Sequence, residues 1–433
     1  MTPQSTFLIL ATIIPAREAE LRRLLASLNH GPGQVDPLNS VFPFGKFNQL
    51  HFARILILDD QTIEDIQVYG IPRVKYPTYL AILGDFDGSF EAFIAEMVHV
   101  ASDGLRLIFS HCEGFTPGHD LLAWVKAHSV SPAANYVNWV GRTAQQVSEE
   151  ENLRQVLEEF IQSHSAELNA LQPPQVRNSL KAFVARELQS GRLALTPPQR
   201  TPLGWKIRKI LDLIGMPALL LILSPLLLIA LPFILIRLRW SEHTDPEIVP
   251  RVNPQHASLL SSIEDQDVTN QFSAMGSVKP GLFRHLIMVF VLRAIDYTTT
   301  HVFNRGRLAR VTSIQFARWV FLDKGKRVIF CSNYDGSLES YMDDFINKVF
   351  FGLNVVFSNG VGYPRTDWLL LHGARNEQAF KGYLRRHQMP TQVWYNASPG
   401  LTALNKRRNA LIREGIERSN MTNAEIKEWL SLF

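Results

Sequence analysis

Titratable and nucleophilic side chains gather near the predicted strand ends of the first half of the chain. They are His51, Arg54, Asp85, Asp87, His111, Cys112 and Glu113. Histidine and aspartate exchange protons with substrates near neutral pH, and an arginine binds a carboxylate through two parallel hydrogen bonds. Histidine, cysteine and glutamate also bind metal ions, but neighbouring residues of a strand point in opposite directions. The set therefore predicts proton transfer or anion binding more strongly than a metal site.

Each of these candidate residues also has a structural interpretation. Asp87 begins an Asp-Gly-Ser turn, where a side-chain oxygen can accept backbone N–H groups, so the residue is either a catalytic acid or part of a helix cap. His51 is either a proton-transfer group or a hydrogen-bonded core histidine. Arg54 and Arg318 stand in two Phe-Ala-Arg segments. They either bind a carboxylate such as a propionate or pair with Asp59 or another nearby acid.

Similar segments occur in the two halves of the chain. Residues 85–115 align without a gap with residues 333–363, and the two Phe-Ala-Arg segments align upstream. Ordered similarity of this kind is typical of an internal duplication. The copies differ where His51 aligns with Gln315, and where His111 aligns with an asparagine. We therefore expect the first copy to carry the titratable site.

The residue pattern of each copy predicts alternating strands and helices. Apolar runs at 7–14, 50–58, 79–86 and 105–110 predict strands, and helical spacing predicts helices over 15–28 and after Asp87. The order βαββαβ is the ferredoxin-like motif, which the second copy repeats over 271–358. A four-stranded sheet of this kind covers one face with its own helices and needs a partner for the other.

We therefore predict an α+β fold built from two tandem ferredoxin-like repeats, residues 1–147 and 265–420. The two repeats are expected to pack as a dimeric α/β-barrel-like unit. Arg54 and Asp87 are farther apart in sequence than Arg318 and Asp335. The longer connection between the second and third strands of the first copy is expected to act as a lid.

Residues 84–88 read Gly-Asp-Phe-Asp-Gly and match the pattern G-x-x-D-G at a strand-to-helix turn. Here the chain resembles the dye-decolourising peroxidases, haem enzymes built from two ferredoxin-like halves. The resemblance implies a haem cofactor, with Asp87 relaying a proton from hydrogen peroxide on the distal side. We add Arg54 and His51 as catalytic residues, and His111 and Arg318 as cofactor-binding residues. Candidate iron ligands in the second half are His256, His285, His301, His372 and His387.

An uncharged apolar run extends from Leu213 to Ile236 and is long enough to cross a bilayer. Aromatic and basic residues flank it, as is typical of positions at headgroup level. We predict a membrane segment over 205–240 whose anchor residues are Trp205, Leu213, Pro225, Pro232, Ile236 and Trp240. A single crossing would separate repeats that are expected to pack together. We therefore favour a re-entrant hairpin turning at Ser224–Pro225, with a single span and a core helix as alternatives.

Outside the repeats, residues 148–204 predict a helical connector. Residues 421–433 predict a C-terminal amphipathic helix that begins with a capping box from Thr422 to Glu425 and either docks on the core or contacts the membrane. A net charge of +4 gives no support for a nucleic-acid partner, and two cysteines cannot form a disulfide framework. The composition excludes a disordered chain and a transporter with many spans.

These patterns predict a membrane-associated, haem-dependent peroxidase-like oxidoreductase that acts on a hydrophobic substrate, with its soluble parts on the cytoplasmic side. One alternative is a cofactor-free barrel enzyme or lipid-modifying enzyme that uses His51, Asp87 and His111. The other is a non-enzymatic module that binds a hydrophobic ligand or partner at the membrane surface. The expected partners are the lipid bilayer and a hydrophobic small molecule.

Overall fold

The computed structural model describes residues 1–249 and 251–433. Its eight long strands are β1 (Gln4–Thr12), β2 (Leu50–Leu58), β3 (Tyr79–Asp87), β4 (Ala134–Val137), β5 (Thr269–Ser277), β6 (Ile314–Leu322), β7 (Arg327–Asp335) and β8 (Thr391–Asn396). Short two-stranded hairpins pair Asn29–Gly31 with Gln34–Val35, and Thr366–Asp367 with Leu371–His372. Apart from the predicted strand at 105–110, the strands predicted in the first copy are confirmed within a few residues.

Fourteen α-helices connect and cover the strands in the described ranges. They are α1 (Glu18–Ala26), α2 (Phe90–Val100), α3 (Ser102–Phe109), α4 (Leu121–Ala127), α5 (Ala144–Ser163), α6 (Ser165–Asn169), α7 (Pro173–Gln189), α8 (Leu203–Thr244), α9 (Pro254–Ile263), α10 (Leu282–His301), α11 (Leu338–Phe357), α12 (Glu377–His387), α13 (Ala403–Glu417) and α14 (Asn423–Leu430). Helices α5, α6 and α7 occupy most of the residues that the sequence predicts to form a helical connector.

The long strands form two four-stranded antiparallel sheets, with strand orders β1-β3-β2-β8 and β4-β6-β7-β5. Each sheet takes three strands from one half of the chain and one edge strand from the other half. In β8, Tyr395 lies opposite Ala53 of β2; in β4, Tyr136 lies opposite Ala317 of β6. The predicted division at 1–147 and 265–420 therefore does not separate the two sheets, because each part completes the sheet of the other.

The predicted closing strand at 105–110 is wrong, because these residues belong to the helix α3 and its C-terminal cap. Leu105, Ile108 and Phe109 are buried. Their spacing of three and four residues matches the period of a helix and not the period of two residues of a strand. Residues 128–130 lie beside β1 instead, where the Val130 N–H donates to the Leu8 carbonyl at 2.8 Å. The corresponding run in the second half likewise continues the helix α11.

Apolar side chains fill three layers of the molecule. The outer face of the first sheet packs against α1, α2 and α3, and the outer face of the second packs against α10, α11 and α12. Between the sheets, Leu56 and Leu83 of the first contact a cluster that includes Val320 and Ile329 of the second. Alternation along β2 sends Ile55 outward and Leu56 inward, as strand geometry requires. The fold is thus a mixed α/β architecture in which the two sheets face each other.

The predicted re-entrant hairpin is wrong, because the segment forms one continuous helix, α8. It runs without a turn through Pro217, Pro225 and Pro232, for about 63 Å at 1.5 Å per residue. Only Leu238, Ser241 and Glu242 near its C-terminal end are buried, and no residue of its most apolar window is buried. By length and composition this one helix, among the residues described, could span or associate with a membrane.

Candidate functional site

His51 and Asp87 meet in the buried end of the first sheet. The His51 Nε2 lies 2.9 Å from the Asp87 Oδ1, and the Asp87 Oδ2 accepts a hydrogen bond from the Ala144 N–H at 2.7 Å. Ala144 is the first residue of α5, so the carboxylate lies at the positive end of that helix. The cap of α2 is Ser89, whose hydroxyl accepts from the Ala92 N–H. Asp87 therefore stabilises the N-terminus of α5, whereas Ser89 caps the N-terminus of α2.

The second half contains the same arrangement with a neutral partner. The Asp335 Oδ2 accepts from the Ala403 N–H, the first residue of α13, at 2.7 Å. Its Oδ1 accepts from the Gln315 Nε2 at 2.6 Å and from the Thr269 hydroxyl at 2.9 Å. Burial raises the pKa of Asp335, and these hydrogen bonds oppose that shift. Gln315 thus does in the second half what His51 does in the first, which favours a structural role for both.

Arg54 and Arg318 each cross from one sheet to the other. Arg54 donates to the Phe272 carbonyl at 2.9 Å, the Ser273 hydroxyl at 2.8 Å and the Ser332 carbonyl at 3.0 Å, all in the second half. In return, Arg318 donates to the carbonyls of Phe7 and Gly84, each at 3.1 Å, in the first half. Neither arginine pairs with Asp59; the acid that pairs with Arg318 is Asp85. Both guanidiniums are committed to the contact between the sheets and are not available to a propionate.

The carboxylate of Asp85 lies near both arginines and compensates part of their positive charge. Arg318 pairs directly with Asp85, whereas Arg54 pairs with the amide of Asn333, the residue that aligns with Asp85 in the second copy. The Asn333 amide also donates to Asp85 at 3.3 Å. Burial raises the pKa of Asp85 and lowers the pKa of Arg54 to about 10, because both charges are removed from water. This network, the inter-sheet arginine pair, holds the two sheets together.

His111 lies apart from the other predicted site residues. It follows α3, where its Nδ1 is 3.0 Å from the Leu107 carbonyl and its Nε2 is 3.6 Å from Glu20. Its neighbour Cys112 is buried, which raises the pKa of the thiol to about 12. Within residues 1–249 and 251–433, no group of three histidine, cysteine or acidic side chains is placed to hold a metal ion. The structure therefore brings His51 to Asp87 and Arg54 to Arg318, but leaves His111 outside both pairs.

The predicted site residues do not fit a haem group. The cavity that includes His51 is only about 50 Å³, whereas sites for ligands of drug size or larger measure about 300 to 1,000 Å³. An apolar cavity of about 210 Å³ lies in the second half between α10, α11 and the second sheet, and no histidine lines it. Among the candidate iron ligands, His387 lines a cavity of about 40 Å³, and His285 lines a separate cavity of about 470 Å³ whose walls do not include Asp87. His256 and His301 bond to Gln388 and Asp212, and His372 pairs with Asp367.

The sequence patterns missed Lys406 as a site residue. Its ammonium donates to the Gln315 Oε1 at 2.6 Å and lies 4.9 Å from the centre of the Phe52 ring, within the small cavity beside His51. Burial lowers the pKa of Lys406 to about 8. The residue begins a Lys-Arg-Arg run that predicts a solvated face. Its burial follows from its place one helical turn before Asn409 and Ala410 on the buried face of α13, which the sequence pattern does not mark.

No protein-family model, no curated protein and no solved structure matches this chain.

Proposed function

We propose that the chain is a non-enzymatic module, made of two ferredoxin-like halves that exchange edge strands, and that it binds a hydrophobic ligand at a membrane surface. The observation that carries this proposal is the helix α8, which exposes a long apolar surface although both of its flanks belong to the same pair of sheets. Exposure of so much apolar surface to water is unfavourable. Exposed apolar patches of this size therefore mark interaction sites. A lipid bilayer is the partner that an uncharged helix of this length fits.

The exchange of edge strands constrains how α8 can meet the bilayer. The strand β4 precedes α8 in sequence and pairs with β6, which follows it; β8 follows α8 and pairs with β2, which precedes it. A single crossing would place paired strands on opposite sides of the membrane, where they could not form hydrogen bonds. We therefore infer that α8 associates with one leaflet. Two free, buried cysteines, Cys112 and Cys331, support the cytoplasmic side, which is reducing.

The helix α10 supplies a second apolar surface beside α8. Leu282, Leu286 and Phe290 are exposed, and their spacing of four residues places them on one face of the helix. The Arg237 guanidinium of α8 lies over the Phe283 ring, and the Tyr297 hydroxyl donates to the Leu213 carbonyl at 3.1 Å. The two ends of α10 are thus close to α8. Together the exposed face of α10 and the helix α8 form the proposed membrane surface.

The apolar cavity of about 210 Å³ is the proposed ligand site. Its walls come from α10, α11 and β6, and its lining is almost entirely apolar, with Thr298 and Thr299 as polar exceptions. Phe351 lines the cavity and is 49% exposed, so one wall of the cavity lies at the molecular surface. The equivalent region of the first half is filled by aromatic side chains such as Phe44, Phe47 and Phe93. A cavity of this volume fits a small apolar molecule or part of an acyl chain.

The haem-dependent peroxidase remains a prediction and gains no support from the geometry. Both oxygens of Asp87 are engaged by His51 and the Ala144 N–H, and the adjacent cavity is small. A distal proton relay needs a carboxylate that faces bound peroxide. For the same reason, the alternative enzyme that uses His51, Asp87 and His111 is not favoured, since these three residues do not meet.

Aligned alanines in the two copies provide a test of the ligand site. Ala317 of β6 lines the apolar cavity, whereas Ala53 of β2 belongs to the filled core of the first half. We expect Ala317→Leu to fill part of the cavity and weaken the binding of a fluorescent polyene fatty acid, measured by titration. Ala53→Leu overpacks the core, so it should cost about 1–3 kcal/mol of unfolding free energy and leave binding unchanged. Equal binding by the wild type and Ala317→Leu would contradict the proposed ligand site.

A further inference from the structure

A larger cavity, of about 470 Å³, lies where the helix α8 ends and α10 begins. Its basic wall is formed by Lys279, Lys324, Lys326 and His285. Its apolar wall is formed by Ile66, Ile71, Val74, Tyr76 and Leu282. Four of these apolar residues come from the long connection between β2 and β3, which the sequence predicts to be a lid. This cavity, called here the basic cavity, therefore has one wall suited to an anion and one suited to an apolar group.

Positive charge exceeds negative charge around the basic cavity. Asp245 lies 3.1 Å from the Lys279 ammonium and also pairs with Arg284, so these two cations share one carboxylate within 4 Å, with Glu242 farther from Lys279. Lys324 and Lys326 are exposed and have no acidic partner within 4 Å in the described part of the chain. None of the lining residues is acidic. An anion entering the cavity would meet charge that the protein itself leaves uncompensated.

The backbone of the cavity wall adds donors for an anion. The helix α10 begins after Gly281, whose φ of 102° places it in the left-handed region, and no side chain caps the helix. Its first N–H groups are therefore open, at the positive end of a twenty-residue helix. Opposite them, Gly325 allows His285 to approach closely, since a Cβ at this position would lie 2.4 Å from the His285 ring.

The basic cavity also adjoins the proposed membrane surface. Asp245, which pairs with Lys279, is the C-cap residue that directly follows α8. Leu282 contributes to the cavity and is at the same time the first residue of the exposed apolar face of α10. A ligand whose charged group lies among the lysines can thus continue along the apolar wall toward the bilayer.

We propose that the basic cavity binds the phosphate group of an anionic phospholipid, with its glycerol and first acyl carbons against Ile71, Val74 and Leu282. The proposal rests on the membrane association proposed for α8. It adds a headgroup preference that an apolar helix alone would not have, because an apolar helix does not distinguish charged from neutral lipids.

Two measurements separate the cavity from the helix. First, the full-length protein in nonionic detergent is titrated with dihexanoyl phosphatidic acid and, separately, with inorganic phosphate, by calorimetry. Second, flotation is compared for vesicles of pure phosphatidylcholine and vesicles of phosphatidylcholine mixed with phosphatidic acid. We expect the short-chain lipid to bind at least tenfold more tightly than phosphate, and the mixed vesicles to retain more protein.

Matched variants locate the binding. Lys324→Gln with Lys326→Gln should weaken binding of the short-chain lipid roughly twenty-five-fold, since each lysine near an anionic lipid contributes about fivefold. Val74→Trp keeps the charge but fills the apolar wall, and should abolish the preference for the lipid over phosphate. The control Lys126→Gln with Lys427→Gln removes the same charge from exposed positions that do not line the cavity. It should bind like the wild type.

Three results would overturn the proposal: equal affinity for phosphate and the short-chain lipid, unchanged binding by Val74→Trp, or equal weakening by the control pair. The first would indicate a simple anion site, and the other two would indicate surface charge alone. Failure of the wild type to float with any vesicle would instead contradict the membrane association of α8. In that case the calorimetric titration in detergent still decides whether the cavity recognises the lipid.

Discussion

Asp85 and Asn333 occupy aligned positions in the two copies, but only Asp85 carries a charge. Two buried arginines, Arg54 and Arg318, depend on this one carboxylate and on backbone carbonyls of the opposite sheet. Buried guanidiniums without acceptors are costly, and removing one partner of a buried ion pair leaves an uncompensated charge. The sequence left ligand binding and structural pairing open for Arg54 and Arg318, and their position between the sheets favours the structural role.

The inter-sheet arginine pair makes a prediction about stability. We expect Asp85→Asn to lower the free energy of unfolding by about 3–5 kcal/mol, because Arg54 and Arg318 then have no carboxylate. The double variant Asp85→Asn with Asn333→Asp restores one carboxylate on the other side of the pair and should recover most of the loss. Urea unfolding followed by circular dichroism measures both. Full stability of Asp85→Asn, or no recovery in the double variant, would contradict the network.

At the scale of elements, the short amphipathic helix α14 packs against α13. The sequence left docking and membrane contact open, and the structure supports docking. The Trp429 indole donates to the Ile412 carbonyl of α13 at 3.1 Å, and Ile426 and Trp429 are buried. Gly415 permits this contact, because a Cβ there would lie 2.0 Å from the indole nitrogen. With α5, α7 and α13, this helix forms a separate apolar cluster.

Substitution by alanine is expected to have opposite effects at two tryptophans, Trp429 in α14 and Trp240 in α8: one variant loses stability and the other loses vesicle binding. Trp429→Ala removes a buried ring and its hydrogen bond, and should lower the free energy of unfolding by about 3–5 kcal/mol without changing vesicle binding. Trp240→Ala removes a ring that is 57% exposed on α8. It should leave stability unchanged and weaken flotation with vesicles. If Trp429→Ala reduced flotation while the fold stayed equally stable, α14 would belong to the membrane surface after all.

At the scale of the whole molecule, the decisive feature is that each half completes the sheet of the other. The edge strands β4 and β8 cross between the halves, and the apolar layer between the sheets draws on both. The helix α8 joins the halves in sequence but contributes little to the core, since only three of its residues are buried. Folding of the sheets and binding of the membrane are therefore expected to be separable properties.

Replacement of residues 214–236 by a Gly/Ser linker of equal length tests this separation. A flexible linker of this size averages roughly 25–30 Å end to end and can extend well beyond the roughly 35 Å that the same residues span as a helix, so the contacts at both ends of α8 are expected to persist. The variant should be soluble without detergent, keep the melting temperature of the parent within a few degrees, and fail to float with vesicles. Unfolding of the variant would mean that α8 is part of the core, and continued flotation would mean that another surface binds the lipid.

The sequence by itself determined most elements of this protein and the placement of its apolar helix. Apolar runs predicted β1, β2 and β3, helical spacing predicted α1, α2 and helices in the connector, and uncharged composition located the apolar segment of α8, because these properties depend on local sequence patterns. Only the tertiary structure decided that residues 105–110 belong to a helix and that α8 continues through its prolines. It also decided that Arg54 and Arg318 join the sheets, and that strands are exchanged between the halves. These outcomes depend on which distant surfaces bury each other, and the spacing of residues along the chain does not encode that choice in any local pattern.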